Sequence, residues 1–141
     1  ATAGISALNV TTTSVALEQG SPGVLDWTPD TPNDATKIEI ELNIANHGGT
    51  PARVKCLASD SGHFEIPSSL INALLQLGFS GFPSVALTRV GANATSTSMG
   101  CVDLRAQSSV VLEVEIPGLI SCSSNDDCPN GQTCQQDLSC G

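Results

Sequence analysis

Four of the six cysteines in the 141-residue chain recur at an even six-residue step: Cys122, Cys128, Cys134 and Cys140. Leu138 is the only bulky aliphatic side chain in this last stretch, so the stretch cannot form an apolar core of its own. Covalent bridges must then hold it together, and disulfides persist only in an oxidising compartment. The spacing predicts a small disulfide-rich knob in a protein that is secreted or displayed at the cell surface.

The remaining cysteines, Cys56 and Cys101, lie in the longer part of the chain. Six cysteines allow 15 pairings, and their order favours a bridge between these two that staples two strands. One feature opposes this pairing, because Cys101 alternates with Asp103 and Arg105 and is therefore expected on an outward face. A bulge near Gly100, or a bridge outside the core, would be needed to resolve the mismatch.

Within the tail, two pairing patterns remain open. Cys122 with Cys134 and Cys128 with Cys140 would give an interlocked knob around a turn at residues 129–131, whereas bridges between neighbours would leave two loose loops. We favour the interlocked pattern. The alternative is a zinc site built from all four cysteines, but structural zinc cysteines usually have two to four residues between them, and five intervene here each time.

The composition is typical of an extracellular β-protein. Charged residues make up only 13% of the chain, and Ser, Thr, Gly, Asn and Pro fill the gaps between apolar runs. Fourteen acidic residues against five basic ones give a net charge of −9, which makes nucleic acid and anionic membranes poor partners. No stretch approaches the roughly 20 apolar residues that span a bilayer, so we expect no membrane insertion.

Apolar and polar residues alternate clearly in residues 37–44 and 109–116, and more weakly in 51–57. Such alternation predicts strands with one buried face. Further strands are predicted at 5–17, 23–28, 84–90 and 97–104, with Pro- and Gly-rich breakers between the strands. Seven short strands of this kind predict a mainly β protein: an immunoglobulin-like β-sandwich over residues 1–118, here called the body, followed by the cysteine-rich knob, residues 119–141.

One helix is predicted, over residues 67–78. Pro67 suits the first turn and Gly78 suits the end, while Leu70, Leu74 and Leu77 would share a face. A helix of about three turns would cover an end or an edge of the sandwich.

The tail segment NDDCPNGQTC, residues 125–134, resembles the short C…DDCP.GQ.C…C modules of secreted proteins in myxobacteria and related bacteria. The segment CLASDSGHFEIPSSLINAL, residues 56–74, resembles β-sandwich regions of uncharacterised secreted or lipid-anchored proteins of such bacteria. The resemblance implies an extracellular address and a sandwich with a cysteine-rich tail, and it implies no activity.

Candidate sites for chemistry are few. Asp26, Asp30 and Asp34 recur every four residues, and an oxygen-rich acidic loop can hold calcium. Their spacing does not match an EF-hand, and the prolines between them indicate a rigid exposed connection instead. We therefore expect no metal and no other cofactor, and keep these three residues as the calcium candidates.

A catalytic triad is not expected either. His47 and His63 are the only histidines, and Ser61 and Asp60 lie next to His63. Neighbours on an extended loop point in different directions, and no nucleophile-elbow pattern surrounds the serine. The group is interpreted as a solvated turn, and the protein is predicted not to be an enzyme.

Asn9 and Asn93 each begin a sequon and could carry glycans. The β-prone segment 1–17 has no charged side chain before Glu18, which suits a strand donated to the sheet edge of a neighbouring subunit. We therefore predict a non-enzymatic structural or adhesive protein, such as a filament or surface-assembly subunit. The alternatives are that the segment pairs within its own sheet, that the protein is a monomeric module binding a protein or glycan through loops at one sandwich end, or that it inhibits proteases.

Overall fold

The structure is a computed structural model that describes residues 5–30, 36–44 and 52–141. The described part is mainly β, as predicted. Its elements, in chain order, are β1 (Asn9–Val10), β2 (Ser14–Ala16), β3 (Gly23–Thr28), β4 (Thr36–Asn43), β5 (Arg53–Ser59), β6 (His63–Ile66), α1 (Ser68–Gln76), β7 (Ser84–Thr97), β8 (Gly100–Glu115) and a 3-10 turn at Asn125–Asp127.

The strands form two sheets. One has the order β1-β3-β6 and the other the order β2-β8-β7-β4-β5. Neighbouring strands are antiparallel, except that β2 runs parallel to β8. The five-stranded sheet curls into half a barrel. The prediction of two sheets is therefore confirmed, whereas the curl departs from a plain two-sheet sandwich.

The core lies between the two sheets. On β4, Ile38, Ile40 and Leu42 are almost completely buried while Lys37 and Glu39 are exposed, which confirms the predicted alternation. From the three-stranded sheet, Leu25, Trp27 and Ile66 belong to the same apolar cluster. Burial of apolar surface on the facing sides of both sheets is the main term that stabilises the body.

The helix α1 begins after Pro67 and ends before Gly78, whose φ of +92° favours glycine. Its buried residues are Ile71 and Leu74, whereas Leu70 and Leu77 are 42% and 70% exposed. Of the three leucines predicted to share a face, only Leu74 is therefore buried. A Cβ atom on Gly23 would lie 3.5 Å from Ile71 Cδ1, so Ile71 packs over the open side of this glycine.

Three predictions of strand extent need correction. The segment 5–17 contains two short strands, β1 and β2, that belong to different sheets, and β6 was not predicted. The strand predicted at 97–104 crosses the turn from the end of β7 into β8, and most of the strand predicted at 109–116 belongs to the same β8, which pairs with an equally continuous β7 from Ser84 to Thr97. The polar stretches inside this hairpin look like loops in the sequence but continue the ladder.

The knob has the interlocked pairing: Cys122 bonds to Cys134 and Cys128 to Cys140, with Cα–Cα distances of 5.7 and 5.5 Å. Cys122 is 1% exposed, and most other residues of the knob are open to solvent. The side chain of Asp127 accepts hydrogen bonds from two backbone N–H groups, at 2.8 and 3.0 Å, and so closes the 3-10 turn. Bridges and local hydrogen bonds replace an apolar core here.

The predicted bridge between Cys56 and Cys101 is wrong, because both are free thiols. Cys56 stands opposite Ile40 and hence in line with Leu87 of β7, whereas Cys101 stands opposite Ser96, nine positions farther along β7. At about 3.3 Å per residue this separation is roughly 30 Å, and a disulfide needs Cα atoms within about 7 Å. Partial burial raises the pKa of the Cys56 thiol, which keeps it protonated.

Candidate functional site: the projecting arm

The longest hairpin extends beyond the sheet that it belongs to. β7 pairs with β4 only over residues 84–91, and from Ala92 onward it pairs with β8 alone, ending at Thr97 opposite Gly100. We call residues 92–105 the arm. Every residue of the arm is exposed, and among the described residues no third strand pairs with it. The arm is thus a two-stranded ribbon of six residue pairs, roughly 20 Å long.

The arm exposes apolar side chains because it continues the inner face of the sheet without a layer to cover it. Val85 and Leu87 on β7 are completely buried, and the same face carries Val102 and Leu104, which are 43% and 51% exposed. Met99 at the turn is 96% exposed. An isolated two-stranded ribbon is marginally stable in water, so its exposed apolar face and free edges are features that need an explanation.

A buried ion pair anchors the root of the arm. Arg89, on the inner face of β7, is completely buried, and its guanidinium binds both carboxylate oxygens of Asp60, with Nε–Oδ2 at 2.7 Å and Nη2–Oδ1 at 3.1 Å. The same guanidinium donates to the carbonyl oxygens of Ser6, Ala7 and Thr28 at 2.6 to 3.3 Å. Arg89 therefore ties the N-terminal segment, the end of β3 and the β5–β6 turn to the base of the hairpin.

The carboxylate of Asp60 is equally well satisfied. It also accepts hydrogen bonds from Trp27 Nε1 at 2.8 Å and from Thr36 Oγ1 at 3.1 Å. Desolvation would raise the pKa of this carboxyl, but the hydrogen bonds from Arg89, Trp27 and Thr36, with the charge of Arg89, outweigh it and lower the pKa. Asp60 thus stays ionised and holds the arginine in place.

Sequence reasoning missed this pair. It placed Asp60 in a solvated turn and gave no role to Arg89. A signal was present, since Arg89 falls on the inward positions of the alternation with Val85 and Leu87. An arginine on an apolar face requires a carboxylate partner, although the alternation alone cannot say which one.

Gly91 lies at the base of the arm, where a Cβ atom would overlap the side chain of Ile5. A glycine here lets the N-terminal segment pack against β7 close to Arg89. Leu8, farther along the N-terminal segment, belongs to the core and is 6% exposed. Its N–H donates a hydrogen bond to Ser108 Oγ at 3.0 Å. The N-terminal segment and the root of the arm therefore form one packed unit.

The outer face of the arm carries its charges. Arg105 Nη2 lies 3.1 Å from Glu39 Oε1 on β4, and both side chains are more than half exposed. Asp103 is exposed and has no cationic group within 4 Å among the described residues. Cys101 is exposed as well, on the outward side that its alternation predicted.

The structure describes two of the three calcium candidates, Asp26 and Asp30, and each of them has other partners. Asp26 Oδ1 lies 2.6 Å from the Nδ1 atom of His63, and Asp30 Oδ2 accepts a backbone N–H of the N-terminal segment at 3.1 Å. Asp34 lies outside the described residues. Among the residues that the structure describes, the one group of metal-ligating atoms close enough to share an ion is formed by sulfurs of the knob, and these are oxidised in disulfides.

The residues weighed as a triad are also separated by their partners. Ser61 Oγ donates to the backbone oxygen of His63 and not to its ring, and Asp60 is occupied by Arg89. The hydrogen bond to Asp26 raises the pKa of His63 against an opposing desolvation, and the charges of Asp26 and of Glu65, at 3.6 Å, raise it further. His47 lies outside the described residues. The arrangement is a surface ion pair.

The two residues predicted as glycosylation candidates, Asn9 on β1 and Asn93 on the arm, are both exposed.

The described part of the N-terminal segment has strand partners in its own chain, since β1 pairs with β3 and β2 with β8. Donating it to a neighbour would require both pairings to be exchanged. Intrachain pairing is the alternative that the sequence had left open.

No helix in the described part of the chain has the length and apolar character to cross a membrane. A scan against protein-family models, a search of curated proteins and a search of solved structures found no match to the chain.

Proposed function

We propose that the protein is a non-enzymatic extracellular module with a structural or adhesive role, which associates with further copies of itself through the arm. The observation that carries this proposal is the ribbon of residues 92–105, which projects from the sheet with Met99, Val102 and Leu104 exposed. A flat edge with apolar side chains is a template for pairing with another chain, and proteins normally cover or charge such edges. Addition of strands from neighbours would cover it.

The extracellular address is supported by the two disulfides of the knob, which need an oxidising environment. An immunoglobulin-like architecture for the body belongs to the same proposal, and two sheets over one apolar cluster support it. Pairing through one edge of the arm gives a dimer, and further pairing through its second edge would extend the dimer into a filament or a surface layer, which is the assembly that the sequence suggested.

The arm replaces the N-terminal segment as the element that makes subunit contacts. The N-terminal segment is held by hydrogen bonds that Arg89 Nη1 donates to three oxygens of Ser6 and Ala7, at 3.2 to 3.3 Å, and by strand pairs on both sheets. Among the described residues no further strand pairs with the arm, and every arm residue is exposed, so a contact there displaces no strand pairing. Strand addition at the arm is therefore the less costly route to association.

The test compares the full chain with an arm-less variant in which Asn-Gly replaces residues 93–104. Ala92 and Arg105 are directly opposite each other, so a two-residue turn can close the shortened hairpin. Both proteins carry Cys101→Ser or lack residue 101, so that the exposed thiol of the arm cannot form an intermolecular disulfide. Sedimentation velocity and negative-stain microscopy should show assemblies of the full chain and monomers of the arm-less variant. In a separate measurement, the body of the arm-less variant should unfold thermally as it does in the full chain.

A matched control is Leu57→Ala, which removes another exposed leucine, 67% accessible, from the outer face of β5. This variant should assemble as the full chain does. A full chain that is monomeric at all concentrations would contradict the proposal and favour the alternative of a monomeric module that binds a protein or glycan through its loops.

A further inference from the structure

We infer that the partner strand is the same β8 edge of a second copy, added antiparallel across a two-fold axis at Leu104, so that Asp103 of each copy faces Arg105 of the partner subunit. The inference rests on the proposed function, because it names the surface and the register of the self-association. It follows from the free edge, the order of charges along it and the faces on which the side chains lie.

The edge of β8 is free over most of its length. β7 occupies one side of β8, and β2 occupies the other side only at residues 113–115. Within the described chain, residues 100–112 thus present backbone N–H and C=O groups that no second strand covers. The edge of β7 in the arm is also free, but residues 92–97 carry no charge and would fix no register.

The order Asp103-Leu104-Arg105 is self-complementary in an antiparallel pair. A two-fold axis through Leu104 places 103 opposite 105 twice and 102 opposite 106. A shift of the axis to Asp103 or Arg105 would oppose like charges, and a shift to Val102 would leave both charges opposite uncharged residues. Opposite charges directly across a strand pair are favourable and like charges are unfavourable, so the axis at Leu104 is the register that the charges select.

The faces of the arm agree with this register. Asp103 and Arg105 lie on the outer face, and Val102 and Leu104 lie on the inner face, which continues that of the buried Leu87. A two-fold axis perpendicular to the sheet keeps outer faces together and inner faces together. The two inner faces would then form one apolar strip across both copies, and C2 pairing of this kind closes the exposed edge.

Arg105 can bind its new partner without losing its present one. Its Nη2 atom donates to Glu39, and its side chain is 64% exposed. A guanidinium has five N–H donors in a planar fork, so it can bind Glu39 of its own chain and Asp103 of the partner subunit together.

Charge exchange tests the register. Asp103→Arg gives Arg-Leu-Arg and Arg105→Asp gives Asp-Leu-Asp, so each variant alone should associate roughly tenfold or more weakly than the full chain, because both ion pairs become like-charge pairs. A mixture of the two variants should associate again, since every facing pair is then opposite in charge. The double variant carrying both exchanges should also associate by itself. Sedimentation equilibrium in the Cys101→Ser background measures all four.

A cross-linking experiment gives a second readout. Residues at the axis face each other directly, at a distance within disulfide range, so Leu104→Cys with Cys101→Ser should form a disulfide-linked dimer on oxidation. Cys101 in the unchanged arm would stand opposite residue 107 of the partner subunit, so the two copies of Cys101 are six positions, or about 20 Å, apart. The native thiol should therefore not cross-link to itself.

The outcomes separate the two proposals. If the arm-less variant is monomeric but each single charge variant associates as the full chain does, this register is overturned and the proposed function stands. Efficient cross-linking of Cys101 to itself would likewise overturn the register. If the arm-less variant assembles normally, or the full chain is monomeric, both proposals fail.

Discussion

The body and the knob are held together by different means. In the body, alternate residues of a strand such as β4 are removed from water between two sheets, and Arg89 and Asp60 complete the core with a buried ion pair. In the knob, two crossed disulfides stand in for a core, and Cys122 is its one buried residue. The comparison shows why the body needs a hydrophobic pattern, whereas the knob needs only correctly spaced cysteines and permissive turns.

The largest expected effect comes from breaking the ion pair of the body. Asp60→Ala would leave Arg89 buried without its carboxylate, and such a change costs about 3–5 kcal/mol in the free energy of unfolding. Chemical denaturation followed by Trp27 fluorescence would measure it. The knob should keep its bridges, because none of them depends on this site.

The control for this prediction is Glu41→Ala. Glu41 lies 3.5 Å from Arg53 and 3.4 Å from Lys55, but all three side chains are substantially exposed. Surface pairs of this kind contribute about 0–1 kcal/mol. If Asp60→Ala and Glu41→Ala lowered the free energy of unfolding equally, burial of the ion pair between Arg89 and Asp60 would not be what stabilises the body.

An intermediate and local effect is expected in the knob. Cys128→Ser with Cys140→Ser removes the bridge that closes a loop with a sequence separation of 12, which is worth roughly 3 kcal/mol in the chain-entropy model. The N–H of Gly141, which donates to Thr133 O at 3.1 Å, should exchange much faster with deuterium, while the unfolding midpoint of the body should not change.

Cys101→Ser is the control for this change, since it removes a free exposed thiol and leaves both bridges intact. It should alter neither the exchange of Gly141 nor the midpoint. A drop in the body midpoint on opening the knob would show that the two regions stabilise each other.

The smallest effects concern pH and have opposite signs in the two regions. The pKa of His63 is raised above its ordinary value of 6.5 by Asp26, so the stabilisation is complete below about pH 6.5 and is lost as the pH rises through the folded-state pKa. The pKa of Asp127 is lowered from 3.8 by N–H donors of Ser123 and Ser124, so its stabilisation is present above about pH 3.8 and is lost as the pH falls through the folded-state pKa.

These signs can be read from matched asparagine variants. The Tm of the native chain should exceed that of Asp26→Asn by more at pH 5.5 than at pH 8.5. The exchange rates of the knob amides should differ between the native chain and Asp127→Asn at neutral pH and converge in acid. A pH trend in the reverse direction at either site would refute the assigned hydrogen bond.

The sequence predicts those parts of the fold in which one local pattern decides the outcome. Alternation identified β4 and the C-terminal half of β8, and cysteine spacing identified the knob. It did not identify β6, because His63–Ile66 is short and follows a turn, and it ended the strand that becomes β7 at residue 90, so that the continuation into the arm was missed. Tertiary contact decided the helix face, since the packing of Ile71 against Gly23 is not encoded by spacing along α1.

The candidate site was less accessible from the sequence. Asp60 and Arg89 are 29 residues apart, and nothing local links them. The charges of Asp103 and Arg105 are visible in the sequence. Their use in pairing two copies follows only from the observation that β8 continues past the neighbouring strands and that, in the described part of the chain, no second strand pairs with it there. Register and the extent of a sheet are long-range properties, so a single sequence without structure leaves them open.

The parallel pairing of β2 with β8 has a mechanical consequence. The chain enters β2 from its N-terminal side and leaves β8 towards the knob, and the two strands run in the same direction. A pull that separates those two ends would slide the strands along each other, so that the hydrogen bonds between Ser14–Ala16 and Glu113–Glu115 carry the load together instead of opening one after another. This part of the body should therefore resist a pull along the chain better than a pairing whose hydrogen bonds open one at a time.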